Sequence, residues 1–220
     1  MTATSARDEI LGRVRAALSD VPELPAEADT PVPWAYGRAR DLADVLDQFE
    51  DRIVDYRAVF ERCPAADLPG RVAAALLMYE AASAVLPAGL DAAVVDAVAA
   101  AGVVVTRDDP PLSHRDLDAT GAVVTTCAVA AAETGTIMLD HGPGQGRRAL
   151  SLVPDVHVCI VRADQVVSDI PEAVARVTEA VRARRPVTWI SGGSATSDIE
   201  LSRVEGVHGP RTLHVLLVEG

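Results

Sequence analysis

Apolar residues recur along this chain with two periods, and the alternation between them outlines a fold. Between residues 6 and 19, Ile10, Leu11, Val14 and Leu18 fall on one helical face. Residues 20–33 break that pattern with prolines and acidic residues, a composition that suits an extended tether. The first helix is therefore expected to stand as an N-terminal arm (residues 1–33), with a single domain over 34–220. A second helix is expected from Asp41, which can cap it, through Leu42, Val45, Leu46, Phe49 and Ile53.

From there short β-branched runs alternate with helical stretches. Strands are expected at 56–60, 83–86, 103–106, 121–126, 136–139, 156–161, 187–190 and 213–218. Val72, Ala75, Leu76, Tyr79 and Ala82 mark one intervening helix. Asp91, Val94, Val95 and Val98 mark another, which Gly102 ends. The clearest helix opens at Pro171-Glu172, where proline suits the first turn, and stops at Pro186. Its last turn carries Arg182, Arg184 and Arg185, where positive charge is favoured. Continuous apolar strands alternating with helices predict an α/β sheet covered on both faces.

Charge and composition narrow the function classes. A net charge of −12 argues against nucleic acid or an anionic membrane face as partner, since both need a basic field. Aromatics are 3% of the chain, so stacking platforms are scarce. All 20 basic residues are arginine, which removes Schiff-base and Walker-lysine chemistry. No apolar run reaches the length of a membrane span, and the first residues lack a basic start followed by an apolar stretch; a cytoplasmic location is expected. Cys63, Cys127 and Cys159 are isolated, which suits small core residues of a reducing compartment better than an iron–sulfur or zinc site. No metal and no cofactor are assigned.

The candidate chemistry lies in the second half. The strand at 187–190 feeds into Ser191-Gly-Gly-Ser-Ala-Thr-Ser-Asp-Ile-Glu200. Gly192 and Gly193 permit a tight turn whose N–H groups can cradle an anion, with Ser194 and Thr196 supplying hydroxyls. The same residues serve equally as an ordinary strand-to-helix turn, with Ser197 to Glu200 as a capping box. Asp198 and Glu200 then either face a ligand or only stabilise a helix start. Glu133, just before Gly135 and a buried strand, has the placing of a nucleophile or base, and equally of a turn cap. His208, between Gly206 and Pro210, is aimed by a constrained turn and can donate to a carboxylate or shuttle a proton. The stretch from Asp140 to Arg148 is expected to be a mobile surface loop, with Arg147 and Arg148 as a solvated pair or an anion clamp. His141 there is an acid/base group or a plain loop histidine, and His157 a hydrogen-bonded sheet residue.

Ala132-Glu-Thr-Gly-Thr-Ile137, the Ser191–Glu200 segment and Gly206-Val-His-Gly-Pro210, in that order and spacing, resemble the LUD-domain family. Within it the likeness is to the short, cluster-free branch of the lactate utilization C proteins. The chain departs from the family pattern at Gly193, where proline is frequent, and at Ala195, where a larger polar or basic residue is frequent. The resemblance implies a three-layer α/β/α fold like that of the NagB/RpiA/CoA-transferase superfamily. It implies a part in L-lactate oxidation to pyruvate beside iron–sulfur-containing partner proteins, as an accessory or ligand-binding subunit with a small carboxylate ligand. The alternative it implies is an acyl- or CoA-transferase-like enzyme with Glu133 as nucleophile.

Overall fold

A computed structural model describes residues 5–21, 25, 39, 41–197, 203–205 and 209–220, with only the backbone for 195–197 and 203–205. The chain divides into two compact units, Met1–Tyr36 and Gly37–Gly220. In the first, helix α1 (Ala6–Ala17) is capped by Ser5, which accepts from the Asp8 N–H. Ile10, Val14 and Leu18 are exposed along one side of it.

The second unit opens with α2 (Val45–Asp55). Its cap is Asp44, not Asp41: the Asp44 carboxylate accepts from the Leu46 and Asp47 N–H groups at 2.9 and 3.0 Å. Residues 56–58 do not start a strand. Arg57 turns back at φ 61° and the Ala58 N–H bonds the Ile53 carbonyl, so pairing begins only with β1 (Val59–Pro64). Then follow α3 (Leu68–Met78), β2 (Ser83–Val85), α4 (Ala92–Ala100), β3 (Val104–Thr106), the short α5 (His114–Asp118) and β4 (Ala122–Thr126). Tyr79 caps α3 and Ala82 lies beyond it. Gly102 follows α4 at φ 85°, as a helix stop requires.

These strands and the later β7 (Val156–Arg162) and β12 (Thr212–Glu219) form one parallel sheet, in the order β1-β12-β7-β4-β2-β3. One face is covered by α3 and α4, through Val72, Leu76, Val94 and Val98 packed on Val124, Val158 and Leu216.

The opposite face departs from the expected layering of helices. Between β4 and β7 the chain makes β5 (Val129–Ala131) and β6 (Thr136–Leu139). After β7 it makes β8 (Val166–Val167), α6 (Ile170–Arg182) and β9 (Thr188–Ile190). These strands form a second sheet, β8-β5-β6-β9. Its inner residues Ala130, Ile137 and Leu139 pack on Cys159, Val161, Val215 and Leu217, beside Phe49 and Ile53 of α2. Its outer residues Val129, Ala131 and Met138 pack under Ala173 and Val177 of α6. The fold is α/β with a mostly parallel sheet, and its third layer is a small sheet joined by α2, with α6 outside it. A hairpin of β10 (Ala195–Ser197) and β11 (Arg203–Glu205) precedes β12. Ser197 therefore pairs with Arg203 in a strand, and the rest of the expected capping box, 198–200, lies outside the described residues. No described helix is long and apolar enough to cross a membrane.

Phe49 is fully buried and meets Phe60 edge to face at 5.8 Å. Phe49→Ala is expected to lower the unfolding free energy by about 3–5 kcal/mol, and Asp44→Ala by about 1 kcal/mol, in urea titrations.

Candidate functional site

The turn after β9 is made by sterics. Gly192 sits at φ 84°, and a Cβ there would lie 2.5 Å from Tyr56 Cβ at the end of α2. A Cβ on Gly193 would lie 2.5 Å from the Arg211 carbonyl oxygen. Gly192 thus demands glycine by both backbone angle and space, and at Gly193 any Cβ would require the Arg211 carbonyl to shift. The Ser194 N–H donates to the Pro210 carbonyl at 2.8 Å, which ties the turn to the segment entering β12 and takes one N–H out of the expected cradle.

Behind this turn lies a cavity of about 250 Å³. Ser151, His157, Thr188, Ser191 and Ser194 give it a polar lining, and Leu152, Ile190 and Leu213 an apolar one. Half-exposed Trp189 stands at its rim. No Arg, Asp or Glu lines it among the described residues. An anion there would be held by hydroxyls, backbone N–H groups and an imidazole.

That imidazole is His157, read from sequence only as a sheet residue. It is 1% exposed, and its Nε2 shares a hydrogen bond of 2.7 Å with Thr125 Oγ1. Burial pushes its pKa down to about 4, so the ring is neutral at pH 7. It sits on the face of β7 that looks toward the second sheet, two residues before buried Cys159. Burial raises the thiol of Cys159 to about 12 and that of Cys127 well above its ordinary value, so both behave as core residues. His214 lies on the other face of β12 from Leu213, with Nδ1 3.1 Å from the Tyr79 hydroxyl and Nε2 3.4 Å from Glu61 Oε1. Desolvation lowers its pKa, against the pull of Glu61.

The loop from Asp140 to Arg147 is a hydrogen-bonded lattice and not the free surface segment expected. Buried Gln145 accepts from the N–H groups of Asp140 and His141 and donates to Asp140 Oδ1. Asp140 in turn pairs with Arg185 at 3.1 Å. Arg147 is neither anion clamp nor solvated pair: it grips Asp108 with two nitrogens, at 2.7 and 3.0 Å, and the Leu112 carbonyl. Each holds the other charged, raising the pKa of Arg147 and lowering that of Asp108. His141, at φ 58°, spans from the Gly146 carbonyl (Nδ1, 2.8 Å) to Thr188 Oγ1 (Nε2, 2.9 Å). Sequence spacing gave no signal for this link, because Thr188 belongs to another strand.

The candidate residues are only partly brought together. Gly192, Gly193 and Ser194 share the cavity. Glu133 lines a separate hollow of about 510 Å³ with Arg52, Asp55, Tyr56 and Thr134. The two are linked by hydroxyls, Thr134 to Thr136 at 2.8 Å and Thr136 to Ser191 at 2.9 Å. The Glu133 carbonyl accepts from Arg52 Nε at 3.2 Å. Thr196 lies on β10 opposite Val204. Asp198, Glu200 and His208 lie outside the described residues. Among the described residues no His, Cys, Asp and Glu side chains gather as a metal-binding group.

The LUD-domain sequence profile matches residues 94–218, a stretch that includes the lining of the cavity and, of the second hollow, Glu133 and Thr134. Lactate utilization protein C of Deinococcus radiodurans is 55% identical over 188 residues, 86% of this chain and 84% of that one. The chain belongs to the LUD-domain family. A second LUD relative, lactate utilization protein C of Bacillus pumilus, is 38% identical over 40% of this chain and 38% of its own. The crystal structure of a DUF162 family protein from Deinococcus radiodurans superposes with a TM-score of 0.68 at 50% identity, covering 80% of this chain and 97% of that one.

The His157 burial in this LUD domain has a consequence for acid stability. Unfolded, the imidazole takes a proton near 6.5; folded, near about 4. Between those values the unfolded chain binds more protons, so stability is full above pH 6.5 and falls as pH drops toward 4. The loss attributable to this group is roughly 3 kcal/mol. Urea titrations of wild type and His157→Gln should show a stability gap at pH 7 that narrows steadily by pH 4.5.

Proposed function

We propose that this chain is a component of an L-lactate utilization system, in which the cavity behind the β9 turn binds a small carboxylate. It acts as an accessory, ligand-binding subunit beside iron–sulfur-containing partner proteins. The name carried by the Deinococcus radiodurans relative supports the pathway. The observation that carries the ligand class is the cavity itself. At about 250 Å³ it falls below the roughly 300–1,000 Å³ that drug-sized ligands occupy. Its polar groups are neutral, and either direction of donation is open in the bonds that Ser191 shares with Thr136 and His157 with Thr125; the hydroxyl of Ser194 stands beside them. A compact three-carbon acid matches that size and those groups. From its setting in Gly206-Val-His-Gly-Pro210 we assign His208 to the same ligand. The cysteines are buried and dispersed, and we assign any iron–sulfur ligation to the partners.

Acyl or CoA transfer through Glu133 is the second reading, favoured by the roomier hollow that Glu133 shares with Arg52. A carboxylate there would attack an acyl-CoA thioester, release CoA as its thiolate and hold the acyl group as an anhydride, which hydroxylamine traps.

Titration calorimetry with L-lactate and pyruvate is expected to give saturable binding that the double variant His157→Gln, Ser194→Ala weakens at least about tenfold, given the worth of two lost hydrogen bonds. Glu133→Gln is expected to leave that binding within about twofold, as a residue outside the cavity should. Recovery of the tagged chain from lactate-grown cells without any iron–sulfur protein would sink the accessory-subunit reading. A hydroxamate formed at Glu133 after incubation with acyl-CoA would replace it with the transferase.

A further inference from the structure

The loop holding His141 does more than close one end of the second sheet. The Gly146 carbonyl can only accept a hydrogen bond, so His141 Nδ1, 2.8 Å away, carries the proton. In the neutral ring Nε2 is then a lone pair. Thr188 Oγ1, 2.9 Å from it, must donate. The hydroxyl proton of Thr188 is thereby spent inside the protein, and the oxygen has only lone pairs left to offer. Thr188 lines the cavity and is 6% exposed, so water has little access to compensate a mismatch.

The arrangement is held from several sides. Thr188 is fixed by pairing with Leu139 across β6 and β9. His141 is fixed by its N–H to Gln145, 3.1 Å, and by the Asp140–Arg185 ion pair next to it in the chain. Turning the His141 ring over would break its bonds to both Gly146 and Thr188.

We propose that Thr188, positioned by His141, is a specificity-determining residue that accepts a hydrogen bond from the C2 hydroxyl of a 2-hydroxy acid and so favours it over the matching 2-oxo acid. The proposal rests on the small-carboxylate reading of the cavity given above. A 2-hydroxy acid can donate its C2 hydroxyl proton to the Thr188 oxygen. A 2-oxo acid presents an acceptor to an acceptor, and the Thr188 oxygen, on a buried residue, is left without a donor. Sites that pair a substrate hydroxyl reject analogues lacking it for this reason.

The test uses the full chain and three probes: L-lactate, pyruvate and propionate, which lacks any C2 oxygen. Dissociation constants come from calorimetry or ligand-observed NMR, with melting temperatures to verify folding. Wild type should bind L-lactate about five- to tenfold more tightly than pyruvate, the worth of one net hydrogen bond. Thr188→Val should bring that ratio close to one, mainly by weakening L-lactate, and Thr188→Ser should restore it. His141→Asn, whose asparagine tolerates the left-handed backbone, frees the Thr188 proton. Pyruvate should then gain on lactate, a change in preference that simple loosening of the loop does not produce. Equal wild-type affinities for lactate and pyruvate, or an unchanged ratio in Thr188→Val, overturn the hydroxyl reading while leaving the carboxylate reading in place. Failure of all three acids to bind overturns both.

Discussion

Packing between the two sheets governs where chemistry can occur in this fold. Ile137 and Leu139 are fully buried against Cys159, Val161, Val215 and Leu217. Since side chains alternate across a strand, that contact commits β6 to one register on the parallel sheet. It also commits β9, which pairs with β6, and hence the turn that β9 runs into. The cavity is what remains where the apolar contact between the sheets gives out, near the amino ends of β7 and β12. Its floor is His157, one position into β7, where an apolar side chain would have continued the core.

Two threonine–histidine pairs each give one member, His157 and Thr188, to the lining of this space, and they are built differently. Thr125 and His157 lie on neighbouring strands of the parallel sheet, in a dry setting that keeps the ring neutral. Thr188 and His141 join a strand to a loop, and the loop holds its shape because Gln145 substitutes for the backbone partners that a strand would have supplied. Polar groups inside an apolar shell must be paired, and pairing them fixes the direction of each hydroxyl. The cavity therefore has a defined pattern of donors and acceptors before any ligand enters.

Much of this was legible in the chain. The continuous apolar runs at Val156 to Val161 and Leu213 to Val218 announce buried parallel strands. Gly192 and Gly193 announce a turn, and the structure explains both through Tyr56 and the Arg211 carbonyl. The strand at Val129–Ala131 was not legible, because alanine carries little strand preference and both faces of that strand are buried, which erases any alternation. The loop after Asp140 looked mobile because glycine and proline are as frequent in a rigid lattice as in a loose one. The roles of His157 and Thr188 depend on which strands meet across the interior, and no local spacing encodes that.

Gly135 and Gly192 are far apart in the chain, yet each lies against the same end of α2. A Cβ on Gly135 would press on Arg52 at 2.8 Å, and one on Gly192 would press on Tyr56. The rim of the Glu133 hollow and the lip of the cavity are thus two sides of a single wedge. Enlarging either glycine would push on the same helix end, so the two positions are sterically coupled. A change made at one alters the space left for the other.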